Sequence, residues 1–162
     1  MAKYVTFRER SDTIPRVPGN AEFLKRVGWF EHLDQRTLDA IANSAVEQTW
    51  PAGHVIMRQG DTGAGAFIIR SGKVEIVQEK GGKETKLATL GPGDVFGEMA
   101  LLDEFPRSAT AKAIEPTTAL GLQRWHFKGI LESHPQIALA LLPMLVRRVR
   151  RAEHMLPESA RH

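Results

Sequence analysis

Residues 46–90 read VEQTWPAGHVIMRQGDTGAGAFIIRSGKVEIVQEKGGKETKLATL, and the architecture turns on this run. It breaks into short β-branched or aromatic pieces: Val46–Trp50, His54–Gln59, Ala66–Arg70, Lys73–Gln78 and Glu84–Leu90. Between them stand Pro51-Ala52-Gly53, Gly60-Asp61-Thr62-Gly63, Ser71-Gly72 and Gly81-Gly82, the residue types that tight turns demand. Around the fourth piece Val74, Ile76 and Gln78 fall on one side and Glu75, Val77 and Glu79 on the other, the alternation of a strand. Ala109–Ile114 and Thr118–Gln123 continue the pattern further along. Strands spaced about ten residues apart predict a sandwich or barrel.

On both flanks the period changes. Residues 1–19 hold Pro15, Pro18 and Gly19 without periodicity and are expected to form a flexible leader. Asn20 is expected to cap a helix from Ala21, with Phe23, Leu24 and Val27 on one side. Asp34 is expected to cap a second, through Leu38, Ile41 and Ala42. Trp125–Glu132 reads as a further helix, and Pro135 opens the last. There Ala138, Leu142, Leu145, Val149 and Ala152 step by four and three. That spacing suits either a helix covering the chain's own core or a seam for a homodimer, and both stand open. Pro143 removes one backbone hydrogen bond and is expected to kink this helix near Leu139. The predicted division is a leader at 1–19 and one domain over 20–162, with helices at 20–45, strands at 46–124 and helices at 125–155.

Composition narrows the function classes. The chain has 162 residues, 42% hydrophobic and 25% charged, enough for one domain with a real core. A net charge of +3 is a weak pull toward nucleic acid, and it is concentrated at Arg147, Arg148, Arg150 and Arg151. A solvated helix face is the expected reading of that cluster. Cysteine is absent, which excludes disulfides and thiolate chemistry. Met1–Arg10 lacks the apolar core of a signal peptide, and no stretch approaches the ~20 apolar residues of a membrane span. No membrane insertion and a cytoplasmic location are therefore expected. The six histidines, at 32, 54, 126, 134, 154 and 162, show no ligand spacing, so no metal is assigned and a cupin-like metal enzyme is a remote alternative. No nucleophile-elbow pattern occurs, and no catalytic residue is assigned.

The chemistry concentrates in Gly91-Pro92-Gly93-Asp94-Val95-Phe96-Gly97-Glu98-Met99-Ala100-Leu101-Leu102-Asp103-Glu104-Phe105-Pro106-Arg107-Ser108-Ala109-Thr110-Ala111. This reads as a glycine turn, a very short helix and a proline-fixed loop that delivers an arginine into a strand. Amides in a helix's first turn are unsatisfied and favour an anion. Gly97 permits close approach to that backbone. The planar guanidinium of Arg107 matches phosphate oxygens. A carboxylate so near, Glu98, makes sense if it accepts a hydrogen bond from a sugar hydroxyl. The residues alone support a nucleotide or sugar-phosphate pocket. Two bland readings remain beside it: Glu98 merely favouring the helix start, and Arg107 pairing with Asp103 or Glu104.

Phe96-Gly97-Glu98-Met99-Ala100-Leu101 followed by Pro106-Arg107-Ser108-Ala109-Thr110 resembles the phosphate-binding cassette of the cyclic nucleotide-binding domain family. Gly60-Asp61, Ser71-Gly72 and Leu90-Gly91-Pro92-Gly93 stand where that family places its turns, and the resemblance runs from about Phe23 to Val149. It implies an α+β fold: an eight-stranded antiparallel β-roll, a jelly-roll-like barrel, flanked by helices, with the cassette at 93–111. It further implies that Arg107 holds the cyclic phosphate and Glu98 the ribose 2′-hydroxyl. Backbone amides of Gly97, Met99, Ala100 and Ala109 would cradle ribose and phosphate, and Ser108 would offer its hydroxyl to phosphate or base. The expected ligand is cAMP, with cGMP second because Ser108 could also reach a guanine. Arg148, Arg151 or Leu145 could cap the base. Ala152–His162 is too short for a recognition helix, so no sequence-specific DNA contact is expected. An unidentified effector protein would read the signal, and a protein-only scaffold of the same fold is the alternative.

Overall fold

The computed structural model describes residues 19–155, the side chains of Met144, Arg148, Ala152 and Met155 excepted, so the expected leader lies outside the described residues save for Gly19. The β-rich centre forms β1 (Val46–Trp50), β2 (Val55–Met57), β3 (Gly65–Ser71), β4 (Val74–Lys80), β5 (Lys83–Leu90), β6 (Val95–Phe96), β7 (Thr110–Ala113) and β8 (Thr117–Gln123). They pair as two four-stranded antiparallel sheets, ordered β1-β8-β3-β6 and β2-β7-β4-β5. The expected roll is thus built as two sheets rather than one closed barrel. Helices α1 (Asn20–Lys25), α2 (Gln35–Ser44), α4 (Arg124–Ser133) and α5 (Gln136–Met155) flank it, and α3 (Met99–Leu102) lies in the cassette.

Side-chain alternation sorts the residues into two cores. Along β3, Ala66 and Ile68 pack toward the helices, while Phe67 and Ile69 join the other cluster, shared with the second sheet. Leu120 and Leu122 of β8 share the helical core, and Ala119 lies in the inter-sheet core. Because both faces of the first sheet are covered, Gly65–Ile69 reads as a continuous buried run instead of an alternating one. Between the sheets, Phe67 meets Trp50 edge-on at 5.5 Å and stacks on Phe96 at 5.2 Å. The second sheet brings Ala111 and Ala113 to the same cluster, small residues that leave room for the large rings.

Several expectations change in three dimensions. Asp34 does cap α2, its Oδ1 accepting from Thr37 N–H at 2.8 Å. Asn20 does not cap α1: it is the first helical residue, with Gly19 at the cap position. Its buried side chain instead accepts from Arg70 Nη1, which also reaches Glu47 at 3.2 Å. A buried amide must be satisfied, and here the tertiary partner takes it. β4 pairs without interruption, but its partner β5 carries a bulge. Ile76 pairs with Ala88 but Val77 with Lys86, so Leu87 is skipped and stays exposed.

On α5 the residues that enter the core are Ile137 and Leu141. The anticipated seam does not enter it: Leu142 and Val149 are exposed, and Ala138 and Leu145 are half-buried. Ala152, the last seam position, has its side chain outside the described residues. Pro143 lies inside α5. Taken singly, no described helix is long and apolar enough to cross a membrane.

Candidate functional site

Two loops meet at the site, and backbone hydrogen bonds clasp them. Gly60 N–H donates to the Arg107 carbonyl at 2.8 Å, and Arg107 N–H donates to the Asp61 carbonyl at 2.8 Å. Gln59 N–H donates to Thr110 Oγ1 at 3.0 Å, continuing the clasp into β7. The turn between β2 and β3 therefore fixes the backbone from which Arg107 projects.

The Arg107 side chain turns inward to the cassette. Its Nη1 donates to the Gly97 carbonyl at 3.0 Å. Gly97 has φ +71°, a conformation that side-chain-bearing residues rarely adopt, and a Cβ there would lie 2.5 Å from Arg107 Nη1. Gly63 bounds the guanidinium as well: a Cβ there would lie 2.9 Å from Arg107 Nε. Burial pushes the Arg107 pKa below the usual guanidinium range, and the Asp61 charge opposes that shift. A partly desolvated guanidinium with donors to spare beyond the Gly97 carbonyl is suited to an anion.

Among the described residues Arg107 forms no ion pair with Asp103 or Glu104. The Asp103 carboxylate accepts from Phe105 N–H at 3.2 Å, and Glu104 lies 3.8 Å from Arg124, which also donates to the Asp103 backbone carbonyl at 3.0 Å. Glu98 occupies the cap position of α3, yet its side chain makes no capping hydrogen bond. It is instead buried, 4% exposed, and lines a cavity of about 320 Å³ with Trp29, Asp94, Arg147 and Arg151. Through that cavity the cassette and α5 share a boundary.

The other site residues fall as follows. Ala100 and Ala109 are buried, and Met99 is half exposed. The Ala100 amide already donates to the Gly97 carbonyl at 3.2 Å, so in this conformation it is committed to its own turn. Ser108 is exposed, its hydroxyl 3.9 Å from Met99 Sδ and its carbonyl accepting from Gln78 Nε2 at 2.9 Å. Of the three residues considered as a lid, Arg151 reaches the Glu98 cavity, Leu145 is half-buried, and the Arg148 side chain lies outside the described residues. Among the described residues no group of three or more His, Asp or Glu side chains is placed to hold a metal.

The sequence profile of the cyclic nucleotide-binding domain matches residues 47–134, from β1 through the cassette to the end of α4. The chain belongs to this family. Relatives of the cyclic nucleotide-binding domain in this chain include the cyclic AMP receptor protein of Thermus thermophilus, 39% identical over 125 residues, which are 76% of this chain and 58% of that protein. The cAMP-dependent protein kinase regulatory subunit of Dictyostelium discoideum is 38% identical over 113 residues, 67% of this chain and 35% of that one. Among solved structures, the Thermus thermophilus catabolite activator protein superposes with a TM-score of 0.73 at 38% identity, covering 78% of this chain and 60% of that one. The chain thus spans little more than half, or about a third, of the curated relatives it matches.

Three residues of this cyclic nucleotide-binding domain escaped the sequence reading as parts of the site. Gly63 and Asp61 read only as turn residues, and Gln78 only as one position in an alternating strand. Each works through a partner 30 or more residues away in the chain, which no local pattern marks. The spacing of Gly60-Asp61 ahead of β3 was the nearest available signal.

Proposed function

We propose that the chain is a non-enzymatic receptor for a cyclic nucleotide, cAMP in preference to cGMP, and that its C-terminal helices carry the signal to a partner protein. The observation that carries this reading is the seating of Arg107: a partly desolvated guanidinium against the Gly97 carbonyl, one residue from a buried carboxylate. A cyclic nucleotide is a diester monoanion bearing a ribose hydroxyl, and it supplies both partners. One arginine matches one negative charge. The exposed Ser108 hydroxyl favours cAMP only as a matter of motif, so the base is settled by titration.

Calorimetric titration of protein freed of retained ligand tests the reading. Saturable binding of cAMP near one per chain, tighter than cGMP, is the expected result. If folded, ligand-free protein binds neither, the protein-only scaffold replaces this reading. Glu98→Ala is expected to weaken binding by about 1–2 kcal/mol, less than loss of the arginine, because one hydrogen bond to a neutral hydroxyl is removed.

Signalling would run through α5. Glu98 lines the cavity that Arg147 and Arg151 also line, so a ligand hydroxyl that engages this carboxylate alters what α5 packs against. Ligand can drive the change only by its difference in affinity for the two arrangements. Saturating cAMP is expected to change amide hydrogen exchange across residues 135–152. Unchanged exchange there, with binding demonstrated, removes this mechanism while leaving the receptor intact.

A further inference from the structure

Gly63 sits in the turn between β2 and β3, far in sequence from the cassette. Its backbone φ lies outside the left-handed region, so conformation places no demand for glycine there. Space does. A Cβ on Gly63 would lie 2.8 Å from Ala100 Cβ, 2.9 Å from Arg107 Nε and 3.0 Å from Arg107 Cζ. Gly97 bounds the same guanidinium at Nη1. The Arg107 guanidinium is thereby held in a slot whose two walls lack side chains, one from the cassette and one from a separate turn.

We propose that Gly63 is a positioning residue for ligand binding, fixing where the Arg107 guanidinium stands. This rests on the receptor reading above and deepens it. Of the atoms a methyl group would meet, those of Arg107 belong to a flexible side chain and yield first. Moving the guanidinium relieves the two Arg107 contacts, while the 2.8 Å contact with Ala100 Cβ needs a small backbone shift whether or not the arginine is present, so the protein stays folded with its cation displaced. Ala100 is anchored in the cassette turn and yields less.

A double-substitution cycle tests this, with cAMP affinity and thermal midpoint measured for wild type, Gly63→Ala, Arg107→Ala and the pair. Gly63→Ala is expected to weaken cAMP binding about ten-fold in the wild-type background, as a charge-assisted contact loses its geometry. In the Arg107→Ala background the same change is expected to cost clearly less, about two- to three-fold, since the contact with Ala100 remains but the coupling to the guanidinium is gone. A general distortion of the pocket would instead lower affinity equally in both backgrounds and would overturn the proposal. So would a Gly63→Ala protein that binds cAMP as tightly as wild type. If Gly63→Ala fails to fold with Arg107 present, the thermal midpoint of the pair is compared with that of Arg107→Ala, and a folded pair with a midpoint near that of Arg107→Ala supports the proposal. Equal losses with and without Arg107 then overturn it. If wild type binds no cyclic nucleotide, the receptor reading falls, and the midpoint cycle still decides whether Gly63 seats the arginine.

Discussion

Arg107→Ala is expected to weaken cAMP binding by about 1.5–3 kcal/mol or more, the largest effect of any single change at the site. The substitution deletes the positive charge that donates to the Gly97 carbonyl at 3.0 Å and empties the slot between Gly63 and Gly97. Stability should fall far less than affinity. Burial disfavours this charge and lowers its pKa against the opposing pull of Asp61, so the folded protein gives up a partly desolvated cation along with one hydrogen bond. Titration calorimetry reads the affinity, and a thermal melt without ligand reads the stability. Wild-type affinity in the variant would remove Arg107 from the site, whatever the rest of the cassette does.

Phe127→Ala is expected to act in the opposite register, costing about 3–5 kcal/mol of folding stability. Phe127 is 2% exposed and belongs to the core that joins Leu38 and Ile41 of α2, Leu101 of α3, Leu120 and Leu122 of β8, and Ile137 of α5. Truncation loses the transfer energy of the ring and leaves a cavity bounded by elements that cannot all move in to fill it. Because Leu101 of the cassette helix packs in this core, ligand affinity should drop as well, as a consequence of looser packing. Urea unfolding followed by far-ultraviolet circular dichroism measures the change. A loss under about 1 kcal/mol, the ordinary scale of a mutation away from such features, would mean that α4 is not seated as described. The two substitutions together separate a residue that binds from one that holds the binder in place.

The strands that sequence reasoning found are those long enough to show their own pattern. Val46–Trp50 was found residue for residue, and Thr118–Gln123 to within one. The strand β6, Val95–Phe96, was missed because two residues carry no period. It exists only through its pairing with Ile68 and Phe67 of β3. The cap at Asp34 was legible because its hydrogen bond spans three residues. Asn20 was misread because its partner, Arg70, stands fifty residues away.

The residue types at the site, a glycine, a carboxylate and an arginine at fixed spacing, are local properties of residues 97–107, and the sequence by itself determined them and the family they belong to. The alternation of strands and turns likewise determined a β-roll with helical flanks, because side-chain period and turn chemistry act over a few residues. Tertiary structure decided the rest. It placed Ile137 and Leu141 of α5 in the core and left Leu142 and Val149 exposed, since which face of an apolar helix is buried depends on what it meets. It also set the Arg107 guanidinium against Gly63 and brought Glu98, Arg147 and Arg151 to the lining of one cavity. Those are contacts between segments far apart in the chain, and only the packing of the whole fold brings them together.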